Sequence, residues 1–162
     1  MGLRQMKSRQ PLKKAASSWL KVVASKMIVV DTNIIAALYL PNENSELAEA
    51  LLLQDADWAA PALWRSELRN VLALYLRQKL LNFEQACQIQ NQAESLMIAN
   101  EYQINSVEVL RLAQASGCSA YDCEFVALAR HLSVKLVTQD KKILAQFPLD
   151  TIALKNIEIK EL

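Results

Sequence analysis

The sequence predicts one α/β domain built in three layers, α/β/α, with helices on both faces of a central parallel sheet. Three observations predict it. The apolar, β-branched runs Met27–Val30 and Val134–Thr138 read as strands buried on both faces, and long helical periodicities separate them. Only Gly2 and Gly117 are glycine, so neither NG or DG hairpins nor the glycine-rich phosphate loops of nucleotide-binding folds can be built. Apolar residues make up 52% of the 162-residue chain, enough for one sizeable core, and at this glycine content the chain should be helix-rich.

Taken in order, residues 1–26 hold seven Lys/Arg and no acid, a charge of +7, while residues 27–162 hold eleven against seventeen, a charge of −6. The net charge of +1 is therefore the sum of two unlike parts. The leader is not a secretory signal, because Lys21 interrupts its one apolar run, Trp19 to Ala24. It fits a flexible basic arm that touches nucleic acid, an organelle transit-like segment, or residues upstream of the natural start. The last reading is preferred, since Met27 opens the first strand directly. A single folded domain is expected over residues 27–162.

Behind the first strand, Thr32–Leu40 reads as a helix stopped by Pro41, and Ser45–Gln54 as a second with Asn44 or Ser45 as its N-cap. Asp57–Ala60 carries a weak strand signal. Pro61 is expected at the start of a long helix, Ala62–Lys79, where proline is tolerated. Further helices follow over Phe83–Ala99, capped by Asn82, over Ser106–Ser116, ended by Gly117, and over Ala120–Leu132, capped by Ser119. The strand Val134–Thr138, a short helix Asp140–Gln146 and a last strand Thr151–Leu154 complete the chain. Strands that alternate with helical crossovers make a parallel sheet.

An odd, scattered cysteine set (Cys87, Cys118, Cys123) reads as reduced thiols and a cytoplasmic location. No run approaches the roughly 18 apolar residues of a membrane span, so no membrane partner is expected. His131, the single histidine, lies at a helix end, where a contact with the helix dipole explains it better than acid–base catalysis. The one C-x₄-C pair, Cys118 and Cys123, has no second Cys/His pair beside it and does not support zinc.

Four carboxylates stand where solvation alone does not explain them. Asp31 closes the first strand and Asp140 follows the strand Val134–Thr138, both at carboxyl ends of strands, where open α/β sheets bind ligands. Glu67 shares a helical stripe with Leu63, Val71 and Leu74, and Asp122 shares one with Phe125, Val126 and Ala129. Either acid alone is unremarkable at a stripe edge. Four anions aimed at one sheet edge repel one another and are costly to desolvate without a cation. An oxygen-only donor set suits Mg²⁺ or Mn²⁺, and the matching chemistry is phosphodiester hydrolysis. Arg65, Arg69 and Lys141 lie close enough in sequence to hold RNA phosphates, although a solvated face explains such charges slightly better. The apolar helical stretches Leu68–Leu76 and Leu47–Leu53 offer more surface than one face requires, which favours dimerisation or a protein partner.

The same residues resemble a known family. Met27–Asn33 (MIVVDTN) resembles the opening of PIN-domain nucleases, Ser66–Leu72 (SELRNVL) their second acidic motif, Ser119–Ala129 (SAYDCEFVALA) the third, and Leu136–Asp140 (LVTQD) with Phe147-Pro148 the fourth. The resemblance spans residues 27–155 with all four motifs in order. Its small single-domain form is most similar to VapC-type toxins, which implies a metal-dependent endoribonuclease with Mg²⁺ or Mn²⁺, a cognate antitoxin protein and a homodimer. It further implies products with a 5′-phosphate and a 3′-hydroxyl. Position by position, Asp31, Glu67, Asp122 and Asp140 become the catalytic quartet, with Asp31 and Asp122 as principal metal ligands, Glu67 binding directly or through water, and Asp140 completing the site or orienting the nucleophilic water. Thr32 and Thr138 become hydroxyls that support the site or touch substrate. Two rivals remain: a catalytically silent PIN-like interaction module, and an aspartate-nucleophile phosphatase, against which Asp31-Thr32-Asn33 lacks the second aspartate two residues on.

Overall fold

The computed structural model describes residues 26–159; the expectations for the basic leader lie outside the described residues. Five strands form one sheet: β1 (Ile28–Val30), β2 (Trp58–Pro61), β3 (Glu101–Tyr102), β4 (Leu136–Thr138) and β5 (Thr151–Ala153). Their spatial order is β3-β2-β1-β4-β5 and every pairing is parallel. Seven helices join or flank them: α1 (Thr32–Tyr39), α2 (Ser45–Gln54), α3 (Trp64–Arg77), α4 (Phe83–Met97), α5 (Ser106–Ser116), α6 (Ala120–Leu132) and α7 (Lys141–Gln146). The predicted three-layer α/β/α class is the observed one.

The central strands β1 and β4 are fully buried, as their unbroken apolar runs require. Val29 pairs with Ala59 on one side and Leu136 on the other, so β1 is the middle strand. From β1 the chain first moves outward through β2 to β3, then returns to place β4 on the opposite side of β1. The order therefore reverses between β1 and β4, and the crevice beyond their carboxyl ends is where α/β sheets accept ligands. Asp31 and Asp140 are the residues that leave those two strands at that crevice.

Helix ends follow local chemistry closely. Gly117 ends α5 in the left-handed conformation at φ 67°, and Ser119 and Asp122 form a reciprocal capping box at the start of α6. Asn82 makes the same box with Gln85 at α4. Lys79 occupies the left-handed region at φ 58° after α3, with Leu80 N–H returning to the Tyr75 carbonyl.

The structure revises four expectations. Pro61 does not open α3. It is the last residue of β2, where the buried run Trp58–Pro61 sits between β1 and β3, and a residue without an N–H is tolerated at the end of a ladder. The helix begins three residues later, at Trp64. The strand β3 carries no apolar run and is two half-buried residues long, so periodicity could not register it. The core stripe of α3 is Trp64, Leu68 and Leu72, whereas Leu74 is 43% exposed. Glu67 therefore lies at the edge of the buried stripe, between core and crevice. No helix among the described residues is long and apolar enough to cross a membrane.

Candidate active site

Asp31 is the N-cap residue of α1 and is 8% exposed, the one buried carboxylate among the described residues. Its Oδ2 accepts from the Thr138 hydroxyl at 2.6 Å and from Asn33 Nδ2 at 3.2 Å. The Thr138 hydroxyl in turn accepts from the Asp140 N–H at 3.0 Å and from Asn33 at 3.4 Å, while the Asn33 side-chain oxygen takes the Gln139 N–H at 3.2 Å. The turn after β1 is thus tied to the turn after β4 through two polar side chains. Thr138 is fully buried, so it positions Asp31 and Asp140 and cannot touch substrate directly. Asn33 was missed as a site residue, though it stands two places after Asp31 in the first motif.

Glu67 reaches the crevice from the first turn of α3, where its carboxylate Oε2 accepts from the Thr32 hydroxyl. Burial pushes its pKa up to about 7; the Thr32 hydrogen bond opposes the rise, and the charges of Asp31, Asp122 and Glu124 add to it. Asp31 is shifted in the same direction, mainly by burial, with the Thr138 hydrogen bond opposing and Asp122 and Asp140 adding repulsion. These mutual effects bring all four predicted carboxylates into one electrostatic cluster at the carboxyl end of the sheet. They also add Glu124, which sequence periodicity did not single out because it lies off the apolar stripe of α6.

Glu67, Asp122 and Asp140 are held by only part of their hydrogen-bonding capacity. Asp122 Oδ2 accepts the Ser119 N–H at 3.2 Å, and Asp140 Oδ1 accepts the N–H groups of Lys142 and Ile143 at the start of α7. Among the described residues, the second oxygen of Glu67, Asp122 and Asp140 accepts no hydrogen bond from protein. The helix-capping reading and the site reading of Asp122 and Asp140 therefore coexist: one oxygen caps, the other remains available.

The basic residues are less uniform. Arg65 is committed elsewhere, in ion pairs with Glu94 and with Glu101, the latter at 2.7 Å, so it ties α3 to α4 and β3 and is withdrawn from the expected role at RNA phosphates. Arg69 is exposed and bonds Ser66 Oγ at 2.9 Å. Lys141 is exposed at the start of α7, and Lys142 Nζ contacts the Gly117 carbonyl at 2.6 Å.

No ion pair neutralises the cluster within the described residues, which is the electrostatic condition for cation binding. The carboxylates do not close into a cage, however: among the described residues no three His, Cys, Asp or Glu side chains are grouped tightly enough to hold a metal ion unaided. That arrangement suits a hydrated ion bound through one or two carboxylates together with substrate phosphate, the habit of Mg²⁺, and does not suit zinc.

The family model for the PIN domain matches residues 28–148, the stretch that carries all five carboxylates of the cluster. The chain belongs to the PIN domain family. This PIN domain is 35% identical over 127 residues to Ribonuclease VapC3 of Pyrobaculum aerophilum, an alignment covering 75% of this chain and 95% of that protein. In three dimensions it resembles the crystal structure of PAE2754 from Pyrobaculum aerophilum, with a TM-score of 0.66 at 22% identity over 81% of this chain and 85% of that one. It also resembles a chain of a toxin-antitoxin complex from Klebsiella pneumoniae, with a TM-score of 0.60 at 20% identity over 80% and 99% of the two chains. At such identities these structural likenesses speak to the fold.

Proposed function

We propose that this PIN domain is a Mg²⁺- or Mn²⁺-dependent endoribonuclease and the toxin of a toxin–antitoxin pair. The observation that carries the proposal is the uncompensated carboxylate cluster at the β1/β4 crevice, with unpaired oxygens on Glu67, Asp122 and Asp140. Similarity to a ribonuclease over three quarters of the chain supports RNA as the substrate. Similarity to a chain from a toxin-antitoxin complex supports an antitoxin partner, and exposed Leu53 and Leu74 supply apolar surface for it or for a second copy of the chain.

In this reading Asp31 and Asp122 are the principal ligands of the divalent ion, with Glu67 binding directly or through water. When bound, the ion lowers the pKa of a water and offsets charge developing on the phosphodiester. Thr138 and Asn33 fix Asp31 Oδ2. Thr32 fixes one oxygen of Glu67, and with its pKa pushed up to about 7 this carboxyl is partly protonated at neutral pH when no cation is present. Asp140 is anchored through Oδ1 and orients the attacking water with Oδ2.

The test is cleavage of end-labelled RNA by the full chain. Cleavage should require Mg²⁺ or Mn²⁺, stop with EDTA, yield 5′-phosphate ends, and be abolished in a folded Asp31→Asn variant. Full activity in that variant would refute the assignment.

A further inference from the structure

The helices α5 and α6 form a hairpin joined by residues 117–119, and its open end holds a cavity of about 670 Å³. One wall comes from the first turns of α5 and the other from the end of α6, while Gln103 and Ile104, leaving β3, close a third side. Asp122 lies in the first turn of α6 and Arg130 in its last, about 12 Å of helix rise apart. The cavity is therefore separate from the carboxylate crevice. Its volume falls within the range of roughly 300–1,000 Å³ that encloses a small organic ligand, and it is far larger than a bare ion needs.

Charge in this cavity runs against the rest of the domain. Residues 27–162 carry −6, yet Arg111, Arg130 and His131 line the cavity against one acid, Glu108. Arg111 and His131 make no ion pair or hydrogen bond among the described residues. Arg130 is held in place: its Nη2 donates to Asp150 at 2.9 Å and its guanidinium lies 5.7 Å from the centre of the Phe147 ring, which leaves Nε and Nη1 without a protein acceptor. One unpaired guanidinium beside one that is fixed and half-used suits a phosphate, whose oxygens accept from the forked N–H groups. The remaining lining suits the rest of a nucleotide. Ile104 and Val107 offer an apolar face to a base, and the Gln103 amide offers a donor and an acceptor to its edge. Glu108 supplies an acceptor for ribose hydroxyls, the part an acidic side chain plays in dinucleotide sites.

We propose that this cavity binds a ribonucleoside 5′-monophosphate, with the phosphate on Arg111, Arg130 and His131 and the ribose on Glu108. It is a second site, and it does not depend on the ribonuclease reading.

The test is isothermal calorimetry of the full chain in EDTA with each of the four ribonucleoside 5′-monophosphates. At least one should bind saturably, and its nucleoside, which lacks the phosphate, should bind at least about tenfold more weakly. Arg111→Ala should weaken the nucleotide roughly 10- to 150-fold, and the 2′-deoxy nucleotide should bind the wild type roughly 2- to 10-fold more weakly than its ribo counterpart. Arg111 is exposed and unpaired, so this variant should melt with the wild type; His131→Ala, equally exposed, provides a second variant that should also weaken binding. Asp31→Asn alters only the crevice and should bind the nucleotide as the wild type does. The proposal is overturned if none of the four nucleotides binds saturably, if affinity survives both Arg111→Ala and His131→Ala, or if Asp31→Asn abolishes binding, which would move the nucleotide to the crevice. A 5′-phosphorylated oligonucleotide that binds where no mononucleotide does would assign the cavity to RNA ends and overturn it as well.

Discussion

Replacing Thr138 by valine removes one oxygen from the centre of the site and leaves the side-chain shape nearly intact. Thr138 is fully buried. Its hydroxyl donates to Asp31 Oδ2 at 2.6 Å and accepts from the Asp140 N–H at 3.0 Å. A hydrogen bond to a charged group contributes about 1.5–3 kcal/mol, and a buried donor left without a partner costs about 1–3 kcal/mol. Asp140 is only half-buried, so water recovers part of the second loss. The net destabilisation should be about 2–4 kcal/mol. For a domain of this size that lowers the melting temperature by roughly 6–15 °C. Calorimetric melting of the metal-free chain at pH 7 measures it. Thr138→Ser keeps the oxygen and loses one methyl, so it should cost only about 0.5–1.5 kcal/mol. A valine variant that melts with the wild type, or a serine variant as damaged as valine, would refute the claim that this hydroxyl organises the site.

The pH dependence of stability provides a second prediction. Because folding raises the Glu67 pKa from 4.5 to about 7, the protonated form is favoured in the fold, so its stabilising contribution is complete below pH 4.5 and is lost as pH rises through 7. The full shift corresponds to about 3 kcal/mol, which partial exposure of the carboxyl reduces to about 1–2 kcal/mol. Glu67→Gln should therefore remove that much of the stability difference between pH 5 and pH 8 in denaturant titrations with EDTA; an unchanged pH slope would contradict the assigned environment. Third, Lys79 adopts a left-handed conformation that glycine enters without strain. Lys79→Gly should raise stability by about 0.5–1 kcal/mol, less any entropy cost in the unfolded chain, and a destabilised variant in urea denaturation would show that the lysine side chain makes an unrecognised contribution.

Much of this molecule is legible from residue spacing. The boundaries of α5 and α6 follow from caps and from the single internal glycine, since those signals are local; α2 begins at Ser45 as expected, although neither Asn44 nor Ser45 makes the expected capping hydrogen bond. Asp31 and Asp140 could be placed at the crevice because each follows an apolar run that can only be a buried strand. What spacing hides is tertiary. Glu101-Tyr102 becomes a strand only because β2 presents a free edge and Arg65 holds Glu101, and neither condition exists within a short window of sequence. Pro61 reads as a helix opener until β2 is seen to bury Trp58–Pro61. Arg65 and Arg69 look alike four residues apart, yet one is spent on Glu94 and Glu101 and the other faces solvent. Asn33 escaped notice because its importance lies in a hydrogen bond to Gln139, 106 residues away.

The central claim is that the carboxylate cluster at the β1/β4 crevice is a divalent-cation site. Titration of the metal-free chain with Mn²⁺ by isothermal calorimetry, beside Asp31→Asn and Asp122→Asn variants of verified fold, tests it most directly. The account predicts saturable binding to the wild type with release of protons near pH 7, as Glu67 ionises, and binding weakened at least about tenfold in either variant, the scale of one lost ligand. Equal affinity in all three proteins, or no saturable Mn²⁺ binding by the wild type, would contradict it and favour a catalytically silent interaction module.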